Sequence, residues 1–459
     1  MTTIVQTASI SQNRKPWGII ALVLLAVFIN HYFGTNAVFI TAGFVTVTYL
    51  LFFKRSVAEY STYGLVLWFA AGYRAFSIGG GYMLHMLDII PLLLIVLWIR
   101  GDIPVASSAL HPGFLKKMST RRLFIAGISL YGLVIAMLNG ISLQSAIMVM
   151  KNFLILIPMT ILLPRIFHQK QITSGIMWSL MIAGLLIAIP GILEYNLGMF
   201  AAGSSYSDGF NRGLFSFWGA TMAVLVLTLC FQSHWFLWGE VRSSRDRLLL
   251  LASAAIQLYA IYISGTRNIW IAILLISSVA LYVRLGAWKA MIAIPVFIAL
   301  LSYAPEEGVK RMESFYFLHD TDQFGRQDTR WLDSSGADRA ERMSNAVNSM
   351  VEQPLGRGWA HAGWVHSDIL SIGAELGVIP ALLFLSLLLT TTIRLLIKAK
   401  RCERSEQFRW LTYVGFMITN IMLFSFGGVT WIIQYALPAW FTWLLSEYHL
   451  YHDRYEANA

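Results

Sequence analysis

Val378-Ile-Pro-Ala-Leu-Leu-Phe-Leu-Ser-Leu-Leu-Leu-Thr-Thr-Thr-Ile393 contains no charged side chain, and Arg394, Lys398, Lys400 and Arg401 follow it closely. Extended back to Ser367, and interrupted only by Asp368 and Glu375, the apolar run exceeds the roughly 20 residues that cross a bilayer as a helix. Its basic flank is the kind that stays on the cytoplasmic side. The rest of the chain repeats this pattern. Its 459 residues are 57% hydrophobic and 13% charged, about half the charge of a soluble domain. A water-soluble fold could not hide that much apolar side chain. Soluble enzymes, disordered scaffolds and secreted disulfide modules are thereby excluded, the last also because Cys230 and Cys402 are the only two cysteines. The formal net charge of +10 is not gathered in one patch, so no nucleic-acid partner is expected.

Walking outward from residue 378 gives apolar spans near 17–34, 36–53, 62–79, 82–99, 123–139, 143–163, 172–195, 214–231, 247–264, 267–283, 286–303, 367–393, 410–427 and 430–447. The expected fold is an all-α polytopic membrane protein of about 12–14 transmembrane helices. The first span follows Arg14 and Lys15 without a clear cleavage site and reads as an uncleaved anchor. Three regions are expected: a helix bundle over 1–303, a long outer loop over 304–366, and C-terminal helices with a tail over 367–459. With both termini cytoplasmic, most of the 34 lysines and arginines fall on the inner side. The exceptions are informative. Arg74 and Lys151 lie inside spans, whereas Arg212, Arg267, Lys310, Arg311, Arg326, Arg330, Arg339, Arg342 and Arg357 come out on the opposite face. Pro380 and Pro438 are expected to kink their helices. Gly79-Gly-Gly81 reads as a turn between spans.

Within the long loop, Asp338-Arg-Ala-Glu341 has the pattern of a capping box. Ala340, Met343, Val347 and Met350 follow at helical spacing, and Pro354 and Gly356 end the run. An amphipathic helix at the outer membrane surface is expected, with Arg339 in its first turn and Arg342 one turn on. Guanidinium groups at a helix start suit an oxyanion, although a solvated surface pair is the plainer reading of the same residues. Then comes Gly356-Arg-Gly-Trp-Ala-His-Ala-Gly-Trp-Val-His366. It combines glycines for close approach, Arg357, aromatics able to stack on a sugar (Trp359, Trp364), and a histidine that titrates near neutral pH.

The arginine, the helix of about fifteen residues, the proline, Gly-x-Gly and His-x-x-x-Leu resemble the signature of the O-antigen ligase/polymerase family of bacterial envelope enzymes. Here these are Arg339, Pro354, Gly356-Arg-Gly358, His366 and Leu370, with Glu375 and Gly377 beyond. Ser264-Gly-Thr-Arg267 and Asn211-Arg-Gly213 are similar to two further family elements. Ser367 departs from the asparagine usual after the histidine. The resemblance covers roughly residues 200–380. It implies an enzyme of the bacterial inner membrane with a periplasmic active site, moving a glycan from a polyprenyl (undecaprenyl) diphosphate carrier to an acceptor hydroxyl. The acceptor would be another glycan or a lipid A core. In that scheme Arg212, Arg267 and Arg339 bind the departing diphosphate and His366 is the general base. Arg342, Arg357, Trp359, Trp364, Arg74 and Lys151 serve substrate binding. No metal or other cofactor is expected, and membrane lipids are the surrounding partner. The rival reading is a lipid-linked glycan flippase or other transporter, whose polar sites usually sit near the midplane on broken helices.

Overall fold

The computed structural model describes residues 75–77, 83–85, 112–167, 181–185, 187–189, 191–193, 196, 225–230, 232–233, 243–264, 267–286, 291, 295, 334–363, 365, 367–404, 406–426 and 433–456. These all lie in the compact unit Ser56–Ala459. The spans expected at 17–34 and 36–53, and the loop segment 304–333, lie outside the described residues.

The first element differs from expectation. β1 (Ala75–Ser77) and β2 (Met83–His85) pair antiparallel, Ala75 opposite His85 and Ser77 opposite Met83. The ends of two expected helical spans thus form a short ribbon, and Gly79-Gly-Gly81, expected as a turn, lies outside the described residues. Every other element formed by the described residues is a helix. These are α1 (Pro112–Leu138), α2 (Leu143–Leu154), α3 (Leu156–Phe167), α4 (Ser244–Ser264), α5 (Arg267–Leu285), α6 (Ser334–Glu352), α7 (Asp368–Leu376), α8 (Val378–Arg401), α9 (Gln407–Phe426) and α10 (Ile433–Glu456).

Four described stretches are long and apolar enough to cross a membrane: Lys116–Leu138, Leu143–Ile161, Ser244–Ile263 and Val378–Arg401. Leu123, Leu130, Leu138, Leu248, Ile379 and Leu382 point outward from these helices, each more than half exposed. Such a surface would be an aggregation hazard in water and is ordinary against lipid tails. The chain is therefore a helical membrane protein.

Two expected spans are each broken once, and a proline sits three residues past each break. α2 runs into α3 at Ile155, which keeps right-handed helical angles (φ −61, ψ −23). Pro158, in the third position of α3, has no N–H to give to Leu154. The result is a hitch that leaves the two halves one candidate span. The other break is a full stop. Gly377 adopts φ +103 and ψ 167, ending α7 and starting α8. A side chain there would be strained, and its Cβ would lie 2.6 Å from Pro354 O. Pro380 was expected to kink a helix. It lies instead in the first turn of α8, where a missing N–H costs nothing because that donor has no helical partner anyway. Pro438 lies within α10, which continues past it.

α1 and α2 meet in a tight turn that the sequence placed at 139–142. Ile141 N–H bonds Ala136 O and Gly140 N–H bonds Met137 O, with Gly140 at φ +73. This is a Schellman closure. The Ser142 hydroxyl then accepts from Ser145 N–H at 3.2 Å and caps α2. α8, α9 and α10 pack together, with α5 against α9, α3 against α10, and α1 against α2 and α3. Their core is aromatic. Trp440 lies within 4.9 Å of Phe424, 5.9 Å of Phe384 and 5.5 Å of Trp443, ring centre to ring centre. Some buried polar side chains are paired with one another or with backbone. Asn420 on α9 donates to Ala439 O and to Thr442 Oγ1 on α10, at 3.1 and 3.0 Å. On α4, Gln257 accepts from Thr228 at 2.5 Å and donates to Ser253 at 3.0 Å. Such bonds fix helix faces where lipid offers no competing partner.

Candidate functional site

The segment after α6 has no regular structure and is held at nearly every residue. Three left-handed glycines shape it: Gly356 (φ +85), Gly358 (φ +94) and Gly363 (φ +63). Two of them also permit close approach. A Cβ on Gly356 would meet Glu375 O at 2.5 Å, and one on Gly358 would overlap the backbone of Ala136 in α1. Arg357 N–H donates to Ala374 O at 3.0 Å and Gly358 N–H to Glu375 O at 2.7 Å, so the segment lies along the end of α7. Val378 N–H donates back to Pro354 O at 2.9 Å. On the α1 side, Tyr131 Oη donates to Leu355 O (2.6 Å), Asn139 Nδ2 to Arg357 O (2.9 Å), and Trp359 N–H to Gly132 O (3.2 Å).

Trp359 was expected to offer its face to a sugar. It is fully buried. Its Nε1–H donates to Ser129 O at 3.0 Å and its ring lies 5.1 Å from Phe153 of α2. The missing Cβ of Gly132 makes the room, since one there would stand 2.5 Å from Trp359 Nε1. The indole is a rivet between loop and bundle, and its face is not open to a ligand. The next residue, Ala360, has φ +67, the one non-glycine among the described residues with positive φ. That left-handed step costs about 1–2 kcal/mol. It sends Trp359 into the core and leaves the next side chain, His361, at the surface.

The fully buried Glu375 carboxylate of α7 holds this step in place by accepting the backbone N–H groups of Ala360 and Ala362. Burial pushes its pKa well above the ordinary carboxylate value. The two N–H groups oppose that shift, and the nearby Asp368 adds to it. The sequence had singled out Glu375 only as part of a motif; the structure shows what it holds.

Between this loop and α6 lies a cleft of about 210 Å³, lined by Arg342, Asn345, Ala346 and Ser349 of α6, by His361, Ala362 and Gly363 of the loop, and by Ala374 of α7. Residues 342, 345, 346 and 349 share one helical face. Beneath them Ala346, Val365 and Ala374 form a small apolar floor, with Met343, Met350, Ala362 and Leu370 around it. Val347, expected on the apolar face, is instead 44% exposed. α6 also begins at Ser334, so Asp338 is inside the helix and does not cap it. Arg339 accordingly sits in the second turn, away from the free N–H groups of the first. Only Gly336 interrupts the helix-forming run ahead of Asp338, and one glycine costs about 1 kcal/mol.

Arg357 Nη2 bonds Glu352 Oε2 at 2.5 Å, and its Nη1 lies 3.3 Å from His361 Nε2. A guanidinium only donates, so Nε2 accepts and the ring proton is on Nδ1. Partial burial first, and the Arg357 charge second, lower the His361 pKa and favour this neutral ring. His361 was missed in the sequence because its neighbour His366 carried the motif.

The remaining expected site residues distribute as follows. Arg74, Arg212, Trp364 and His366 lie outside the described residues, although Val365 and Ser367 on either side of His366 are both buried. Arg267 is the first residue of α5 and Arg339 lies in α6, with neither side chain described. Lys151 is half-buried in the last turn of α2, beside the break at Ile155. The structure therefore brings Arg342 and Arg357 to one loop and puts Lys151 on a different helix from that loop. Among the described residues no three His, Cys, Asp or Glu side chains form a cluster that could hold a metal ion. No protein-family model matches the chain, and no curated protein matches it.

Proposed function

We propose that this protein transfers a glycan from a polyprenyl-diphosphate carrier to an acceptor hydroxyl on the periplasmic face of a bacterial inner membrane, as a ligase or polymerase of the O-antigen type. The observation that carries the reading is the stitched Gly356–Gly363 loop. It sets Arg342 and His361 across a polar cleft at the end of a membrane bundle, and it leads directly to Val365 and Ser367, the buried neighbours of His366. In this reading Arg212, Arg267 and Arg339 stabilise charge on the departing diphosphate where water is scarce. His366 takes the acceptor proton, a contribution of about 10²–10⁴-fold. Attack opposite the leaving group inverts the anomeric carbon, and no metal is required.

Purified protein in lipid nanodiscs, supplied with a polyprenyl-diphosphate glycan and an acceptor, tests this. Arg267→Ala and His366→Ala are expected to insert and fold normally while transfer falls at least 10²-fold. Full activity in either removes that residue from the mechanism. Activity is also expected to persist in EDTA.

One observation favours a second reading, a flippase for a lipid-linked glycan. The α2–α3 span is broken at Ile155, with Lys151 and the buried Asn152 in the turn before the break, an arrangement that transporters use for midplane sites. Movement of a labelled lipid-linked glycan across vesicles without bond formation would select it.

A further inference from the structure

The exposed side chains of α8 form one stripe. Ile379, Leu382, Leu383, Leu389, Ile393 and Ile397 are all exposed, and they recur every three or four residues, so they share a face. From Ile379 to Ile397 that face is about 27 Å long at 1.5 Å per residue, close to the roughly 30 Å of a bilayer's hydrocarbon. The stripe then turns basic. Arg394 lies on its last apolar turn, Lys400 and Arg401 continue it past Ile397, and Arg404 follows in the segment after the helix, all four exposed. Helix geometry puts Lys400 and Arg401 about 5 Å beyond the apolar face, at the depth of lipid phosphates. Glu403, also exposed, is the one acid between 394 and 404.

The end of α5 stands beside this basic end. Lys400 Nζ donates to Tyr282 Oη at 3.3 Å and lies 5.3 Å from the centre of the Tyr282 ring. Arg284 Nη1 donates to Arg404 O at 3.2 Å, which ties the segment after α8 to α5. A phenol that accepts from Lys400 still has a proton to donate. Tyr282 and Leu285 of α5 are exposed, as Lys400 and Arg401 are, so an ammonium, a guanidinium and a hydroxyl share one surface with apolar side chains. Cations at a helix end also complement its dipole and fix topology. That plainer role needs neither a tether to a phenol nor an apolar face in register with the charges.

We infer that the exposed faces of α8 and α5 seat an anionic phospholipid. Its phosphate lies on Lys400, Arg401 and the Tyr282 hydroxyl, with Arg404 at its edge, and its acyl chains run along Ile397 and Ile393. Cations at the membrane surface attract such headgroups, and the apolar stripe places the chains beneath them. The seat does not depend on the glycan-transfer reading, and the loop cleft takes no part in it.

The full-length protein in dodecyl maltoside micelles is titrated with phosphatidylglycerol and with phosphatidylcholine of the same chains, read by native mass spectrometry. Phosphatidylglycerol is expected to bind at least about tenfold tighter, from the cations near its phosphate. Lys400→Gln combined with Arg401→Gln should reduce that preference to about twofold or less. Lys116→Gln combined with Arg245→Gln removes the same charge from exposed positions on α1 and α4 and should leave the preference intact. Tyr282→Phe changes no charge and should weaken phosphatidylglycerol about threefold. Equal binding of the two lipids overturns the seat. So does an equal loss in the two double variants, or wild-type affinity in Tyr282→Phe, either of which would reduce the attraction to net charge. Displacement of the lipid by excess inorganic phosphate also overturns it, since the ligand would then be a free anion.

Discussion

The two ends of the bundle use the same side chains for opposite purposes. At the far end, Arg121 of α1 forms a two-point pair with Glu447 of α10, its Nη2 lying 2.6 Å from Oε1. Thr391 of α8 donates to that same oxygen at 2.9 Å, and Lys117 approaches it at 3.7 Å. Arg121 also sits over the Trp443 ring and Lys117 over that of Tyr451. Nearby, Arg284 covers Phe408, and Lys398 lies over Trp410. Each of these charges is answered within the protein, so this end is a clasp joining three helices. At the loop end, the backbone is answered at nearly every residue and the side chains line a cleft. There Arg357 is paired with Glu352, and Arg342 lines the cleft beside His361. Burial with a matched partner marks an arginine that builds the fold.

The sharpest way to break this comparison is through the loop backbone. Gly358→Ala forces a side chain into the Ala136 backbone at a positive φ, and at least about 3 kcal/mol of loop stability should go. Proteolysis of the loop should rise sharply while the far end stays folded. Uniform unfolding would show that the ends are not independent. Glu447→Ala is the counterpart. Leaving the partly buried Arg121 without its carboxylate should cost about 3 kcal/mol, visible as a lower melting temperature in detergent, with transfer per folded molecule unchanged. Trp359→Phe keeps the ring packing and loses the bond to Ser129. It should cost about 1–2 kcal/mol and loosen the loop, measured by hydrogen exchange at Ala360 and Ala362.

pH should act on the loop from both sides. His361 has a lowered folded pKa, so its contribution is present above the unfolded value and is lost as pH falls through the folded one. Glu375 has a raised folded pKa, so its contribution is full below the unfolded value and is lost as pH rises through the folded one. The two contributions are full in separate pH ranges, so they oppose each other in between. Glu375→Gln should remove the alkaline limb and leave the acid limb, as read by exchange against pH. The smallest effect is expected from Ala360→Gly, which relieves the left-handed step. A stabilisation of up to about 1 kcal/mol should appear in the melting temperature.

The sequence shows long apolar helices plainly, because lipid imposes one requirement on every residue of a span. It shows breaks within them poorly. Hydropathy averaged over 367–393 hides Gly377, whose positive φ ends one helix and begins another. The same averaging hides Pro158 behind Ile155. The amphipathic helix was legible from Met343 and Met350, but its start was not, since Ser334 and Ser335 ahead of Asp338 are ordinary helix residues once a helix is nucleated. At the site, Gly356 and Gly358 announced close approach without saying to what. The partners are Glu375 and Ala136, the latter more than 200 residues away in the chain. Trp359 read as a sugar platform because an aromatic in a polar loop looks exposed. Its position was decided by Gly132, a contact that no local pattern encodes.

The Trp359 rivet also has a mechanical consequence. α1 shows its leucines to the surroundings along the stretch that grips the loop, Leu130 at 62% and Leu138 at 77% exposed. A helix with such a face tilts when the hydrocarbon thickness around it changes. The loop is fastened to α1 at Tyr131, Gly132 and Asn139 and to α7 at Ala374 and Glu375, so tilting α1 shears one anchorage against the other. A change of bilayer thickness is therefore expected to reach the loop through α1, as altered hydrogen exchange at Ala360 in lipids of different chain length.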